Sequence, residues 1–119
     1  MAYNHFDIPI FQKTYDLYKL IHRMRNDIPK TDRHTIWQRS EDACLDAIEK
    51  LFLANQLNGS EKVDLLTKIS NKIDLMRVFM RLAHETKIID EKKYLLIQSH
   101  LDEIGRMLGG WIKNSRITK

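Results

Sequence analysis

Val63-Asp64-Leu65-Leu66-Thr67-Lys68-Ile69-Ser70-Asn71-Lys72-Ile73-Asp74-Leu75-Met76-Arg77-Val78-Phe79-Met80-Arg81-Leu82-Ala83 is the stretch on which the fold turns. Its positions Val63, Leu66, Ile69, Ile73, Met76, Met80 and Ala83 recur at steps of three and four, which puts them on one stripe of a helix. No strand-like alternation competes. Ser60 is placed to cap this helix, and Glu61 and Asp64 sit in its first turn, where negative charge suits the helix dipole.

Working outward, three more stripes of the same period appear. Upstream, Thr31 or Asp32 is the expected cap of a helix reaching Leu57, with Ile36, Ala43, Ala47, Leu51 and Ala54 inward and Cys44, Ile48 and Phe52 beside them. Asn58-Gly59 ends it. Earlier still, Ile10, Thr14, Leu17, Ile21, Met24 and Ile28 form a stripe that stops before Pro29, a residue that biases its predecessor away from helical geometry. Downstream, Asp90 is the expected cap of a last helix with Tyr94, Ile97, Leu101, Ile104 and Leu108 inward. The expected helices cover about 8–28, 32–57, 60–87 and 90–114. Four amphipathic helices with short connections predict an all-α, up-down-up-down antiparallel four-helix bundle occupying residues 1–119 as one domain.

Composition agrees with one core and excludes several classes. A chain of 119 residues buries roughly two-thirds of its unfolded surface without disulfides or metals. The one cysteine, Cys44, has no internal partner and lies among Ala43, Ala47 and Ile48, as a small core residue would. With no signal-like opening and no apolar run near the roughly 18 residues needed to span a bilayer, the expectation is a cytoplasmic protein without membrane contact. Glu-x-x-His, the repeated element of a di-iron bundle, is missing, as are a phosphate loop, a zinc-type cluster and a Gly-x-Ser-x-Gly elbow. No catalytic residue, metal or cofactor is therefore expected.

Charge and glycine point to binding instead. The net charge is +4, with basic ends and an acidic second segment: residues 31–59 hold three Lys or Arg against five Asp or Glu, while 87–119 hold seven against four. After Glu103 come Arg106, Lys113, Arg116 and Lys119 and no anion. At 100° per residue, Lys92, Arg106 and Lys113 lie opposite the last apolar stripe and face outward. Arg23, Arg25, Lys30 and Arg33 crowd the first turn between helices, and Arg77 and Arg81 border the third stripe. Such patches suit phosphate backbones held without sequence readout, or an acidic protein surface. Gly105 and Gly109 stand one turn apart where each glycine costs roughly 1 kcal/mol relative to alanine, so close packing against a neighbour is expected there. Surplus apolar residues, Phe11, Tyr15 and Tyr18 on the first helix and Leu75, Val78, Phe79 and Leu82 on the third, are expected to form a subunit interface.

Glu103-Ile104-Gly105-Arg106-Met107-Leu108-Gly109-Gly110-Trp111-Ile112-Lys113 resembles the terminal motif of the accessory variability determinants of diversity-generating retroelements, a four-helix-bundle family. Ile28-Pro29-Lys30-x-Asp32-Arg33 resembles that family's first turn, Ile73-Asp74-x-Met76-Arg77-x-x-x-Arg81-Leu82-Ala83 its third helix and Lys92-Lys93-Tyr94 the start of its fourth. The likeness runs from Phe11 to Lys113 and is shared in part with proteins encoded in intervening sequences of 23S ribosomal RNA genes. It implies a barrel-like homopentamer and a non-enzymatic accessory subunit that binds the retroelement reverse transcriptase together with template RNA or complementary DNA. The alternatives are a bundle of the intervening-sequence type, whose role is unclear, and a ribonuclease: Arg77 and His84, seven positions apart, resemble the Arg-x(4–6)-His pair of the HEPN family, although Val78 replaces the polar residue that often follows the arginine there.

Overall fold

A computed structural model describes residues 8–117; the remainder of the 1–119 span, Lys119 included, lies outside the described residues. Helix α1 is Pro9–Met24, with proline in the first turn, where its missing N–H costs nothing. A 3-10 turn, Arg25–Asp27, tightens its end before Ile28 turns extended ahead of Pro29. Helix α2 is Gln38–Ala54, α3 is Gly59–Glu85 and α4 is Glu91–Ile117. Each helix packs on its chain neighbours, and α4 closes the ring against α1. Arg77 meets Asp102 and His84 meets Tyr94, while Lys13 meets Glu103 and Lys93 meets Asp27. Contacts thus climb one helix as they descend its neighbour, which makes α4 antiparallel to both α1 and α3. The result is an up-down-up-down bundle about 46 Å long, and among the described residues no helix is long and apolar enough to cross a membrane.

The apolar stripes meet in one core. Ile10, Leu17, Ile21, Met24 and Ile28 from α1 and its turn, Leu66, Ile69, Ile73, Met76, Met80 and Ala83 from α3, and Ile97, Leu101, Ile104 and Leu108 from α4 are all buried. Val63 and Tyr94 are half-buried at the stripe ends. Polar members of the core have partners: Thr14 donates its hydroxyl to the Ile10 carbonyl at 2.9 Å and Ser40 to that of Ile36 at 2.9 Å. Cys44 is fully buried, and burial pushes its thiol up to about 12, beyond the range of a reactive nucleophile.

Helix starts differ from the sequence expectation in two places. Neither Thr31 nor Asp32 caps α2. A short helical turn, Lys30–Asp32, runs instead into a π-helical turn, Arg33–Trp37, which carries an extra residue and re-phases the side chains that follow it. Trp37 is thereby fully buried and donates its indole N–H to the Ile21 carbonyl at 2.9 Å, an acceptor left open where α1 tightens. Ser60 is inside α3 rather than at its cap, since Gly59 at φ +59° already begins the helix. Asp90 does cap α4, accepting the Lys93 amide at 2.8 Å. Between α3 and α4, Lys87 takes the left-handed conformation at φ 64°, and the Ile88 and Lys87 amides bond back to Ala83 and His84. That is the usual helix-ending motif, with lysine in the position glycine favours.

Candidate partner and nucleic-acid interface

The eight cations expected to bind a partner fall into two groups once their neighbours are known. Arg25 belongs to the inner group. Glu41, one turn into α2, is only 4 % exposed, and a carboxylate so buried requires a countercharge. Arg25 Nη1 supplies it at 3.1 Å from Oε2, His22 Nδ1 lies 3.8 Å from Oε1, and Arg25 Nη2 is 3.4 Å from His34 Nδ1. Tyr18 stacks on His22, and burial, followed by the Glu41 charge, raises its phenol above the ordinary range. Arg33 is committed as well: its Nε donates to the Ile28 carbonyl at 2.8 Å and its Nη2 to that of Asn26 at 3.0 Å, stapling the α1–α2 turn. Both arginines therefore commit part of their donor set to the fold.

Arg77 is the third inner cation. Its Nη1 pairs with Asp102 on α4, its Nη2 donates to the Leu101 carbonyl at 3.2 Å, and its Nε is 3.6 Å from Asp74. The reason it can lie on the α4 backbone is Gly105: a Cβ there would stand 2.8 Å from Arg77 Nη2. The close approach expected at Gly105 is thus made, and the group that approaches is a guanidinium of the same chain. Gly109 does not share this role. A Cβ at Gly109 or Gly110 meets nothing within 4 Å, and both glycines are exposed.

Arg23, Lys30, Arg106 and Lys113 form the outer group. All four are exposed and make no ion pair among the described residues. Arg81 is also exposed but holds Glu85 at 3.0 Å, an i,i+4 surface pair that keeps its guanidinium firmly charged. The antiparallel topology separates the four. Arg23 and Lys30 are at the end of the bundle where α1 passes to α2, whereas Arg106 and Lys113 lie toward the opposite end, on α4. The structure does not bring the eight into one site.

The apolar candidates divide in the same way. Phe11, at 8 % exposure, is in the chain's own core and is removed from the expected interface. Tyr18 and Phe79 are half-buried against that core. Leu75, Val78 and Leu82 remain exposed on α3, Val78 at 60 %, and Tyr15 on α1 is joined by Leu45, Phe52 and Leu53 on α2. Phe52, expected beside the inward stripe of α2, is thus 41 % exposed.

Glu41, the most informative buried charge, also escaped the sequence reading. An acidic residue one turn after Trp37 carries no local mark of burial; only the juxtaposition of α1 and α2 reveals it. A family model described as bAvd-like matches residues 9–115, nearly all of the chain. A comparison with curated proteins gave no match.

Proposed function

This chain belongs to the bAvd-like family, and on that premise we propose that it is a non-enzymatic accessory subunit of a diversity-generating retroelement. It holds the element's reverse transcriptase and the template RNA or complementary DNA in the cytoplasm, and so supports mutagenic retrohoming. The observation that carries this reading is that four of the eight expected cations, Arg23, Lys30, Arg106 and Lys113, are exposed and make no ion pair among the described residues, while Arg81 is exposed as well. Such groups can neutralise phosphates or carboxylates without giving up an internal partner.

The exposed apolar residues Tyr15, Leu75, Val78 and Leu82 support assembly into a homo-oligomer, which the family resemblance makes a pentamer. Side by side in a ring, the outer cations would repeat as a belt of positive potential suited to a flexible polyanion. Nothing favours the ribonuclease alternative, since Arg77 is held by Asp102 and Leu101, and His84 is stacked on Tyr94 with ring centroids 4.6 Å apart.

Co-purification with the reverse transcriptase encoded beside this gene tests the reading, together with the mass by light scattering. A complex, and a multimer at tens of micromolar, are expected. A monomer that captures neither the enzyme nor RNA contradicts it. RNA affinity should also fall steeply with salt, with a slope of about −0.7 for each neutralised phosphate of a single strand.

A further inference from the structure

We infer that the groove between the start of α1 and the end of α4 docks a protein segment that presents apolar side chains flanked by carboxylates. The groove is open, of about 430 Å³, lined by Ile8, Pro9, Ile10, Met107, Gly110 and Trp111, with Asn114 as its polar member. Gly110 is not required by the chain's own packing, because a Cβ there meets nothing within 4 Å, and its φ is not in the left-handed region. Glycine is nonetheless the poorest helix former after proline, and here it leaves the groove's outer wall bare.

Arg106 and Lys113 are one turn before and one turn after Gly110, so these exposed cations flank Gly110 on the helix surface next to the groove. The acids that could neutralise them are taken: Asp102 is held by Arg77 and Glu103 pairs with Lys13 at 3.2 Å. A mostly apolar lining with two exposed cations flanking Gly110 is complementary to apolar anchors set beside carboxylates. A phosphate backbone would satisfy the cations but leave the lining wet. Nor is the aromatic residue free for a base, since Trp111 packs against the core and Lys62 Nζ sits 5.5 Å from its ring centroid. The site therefore suits protein over RNA, and it rests on the reading above in taking the reverse transcriptase as the protein that supplies the segment.

The test measures affinity for the reverse transcriptase encoded beside this gene, and for a single-stranded RNA, in the parent and in Gly110→Leu, all at one salt concentration. A Cβ at 110 meets nothing within 4 Å, so leucine there is expected to fill the groove from its bare side with helicity and mass as in the parent. The expected result is a loss of about tenfold or more in affinity for the enzyme, with RNA affinity held within about twofold. Equal losses for both ligands overturn the assignment in favour of a nucleic-acid surface, and unchanged affinity for the enzyme overturns it outright. Should the parent bind no reverse transcriptase, the functional reading fails first and the groove assignment falls with it. A parent that binds while Gly110→Leu binds equally well sinks the groove alone.

Discussion

Gly105 and Gly110 are five positions apart on the same helix, yet the molecule uses them differently. At Gly105 the space is filled by the Arg77 guanidinium, which reaches past the absent side chain to the Leu101 carbonyl. At Gly110, as at Gly109, the space is open. The cations follow the same division, for Arg25, Arg33 and Arg77 are joined to acids and carbonyls of their own chain while Arg23, Lys30, Arg106 and Lys113 make no such pair. Composition alone does not distinguish a charge paired within the fold from one that is not. Geometry does.

The largest expected effect lies on the inner side. Arg25→Ala strips the countercharge from buried Glu41 and should destabilise the fold by about 2–3 kcal/mol, slightly under the usual cost of breaking a buried pair because Arg25 is partly exposed. Chemical denaturation measures it, and a loss below about 0.5 kcal/mol, the level of an exposed pair, would erase the distinction between the two groups.

Next comes Gly105→Leu. Leucine is the better helix former by nearly 1 kcal/mol, but it displaces the Arg77 guanidinium from Asp102 and the Leu101 carbonyl, so a net loss of up to about 1 kcal/mol is expected. In an Arg77→Ala background the same change should lose most of that cost, since the group it displaces is gone. Additivity of the two changes would show that Gly105 and Arg77 are not coupled.

Gly109→Ala with Gly110→Ala should act in the opposite direction. With open space at both positions, each replacement should stabilise the chain by up to about 1 kcal/mol in the absence of partners, read as a raised melting temperature. A destabilised double variant would mean that the fold itself needs bare backbone there.

The smallest effect concerns pH. Lys50 donates to Asp46 at 2.6 Å and holds its carboxyl below the ordinary aspartate range, with Lys72 adding to the effect. A depressed folded value means that this stabilisation is present above the unfolded value and is lost as pH falls through the folded one. Asp46→Asn should therefore flatten the acid limb of the stability profile slightly and leave neutral pH almost unchanged. An unaltered acid limb would show that the pair adds nothing measurable.

Much of the architecture was legible because burial follows the helical period. Leu66, Ile69, Ile73, Met76 and Met80 could be placed inward from spacing alone, and Asp90 could be read as a cap. What could not be read depends on which helices become neighbours. The sequence marked Gly105 as a point of close approach, but not that Arg77, twenty-eight positions earlier, would be what approached. It grouped Arg25 and Arg33 with Lys30 because they are adjacent in the chain, although the turn points two of them at internal acceptors. The π turn before α2 had no local signal, since Thr31 and Asp32 offered ordinary caps that the fold did not use.

The division of labour proposed for this molecule is that the outer cations carry binding and the inner ones carry structure. Its most direct measurement compares Arg106→Glu/Lys113→Glu with Arg77→Ala for affinity to the neighbouring reverse transcriptase and to RNA at moderate salt, alongside helicity, mass and denaturation midpoint. The charge reversal should weaken binding of at least one partner by about tenfold or more and leave fold and assembly intact, whereas Arg77→Ala should lower the midpoint and change affinity little. A charge-reversed protein that binds both partners as well as the parent, or an Arg77→Ala variant that loses binding at full stability, would contradict it.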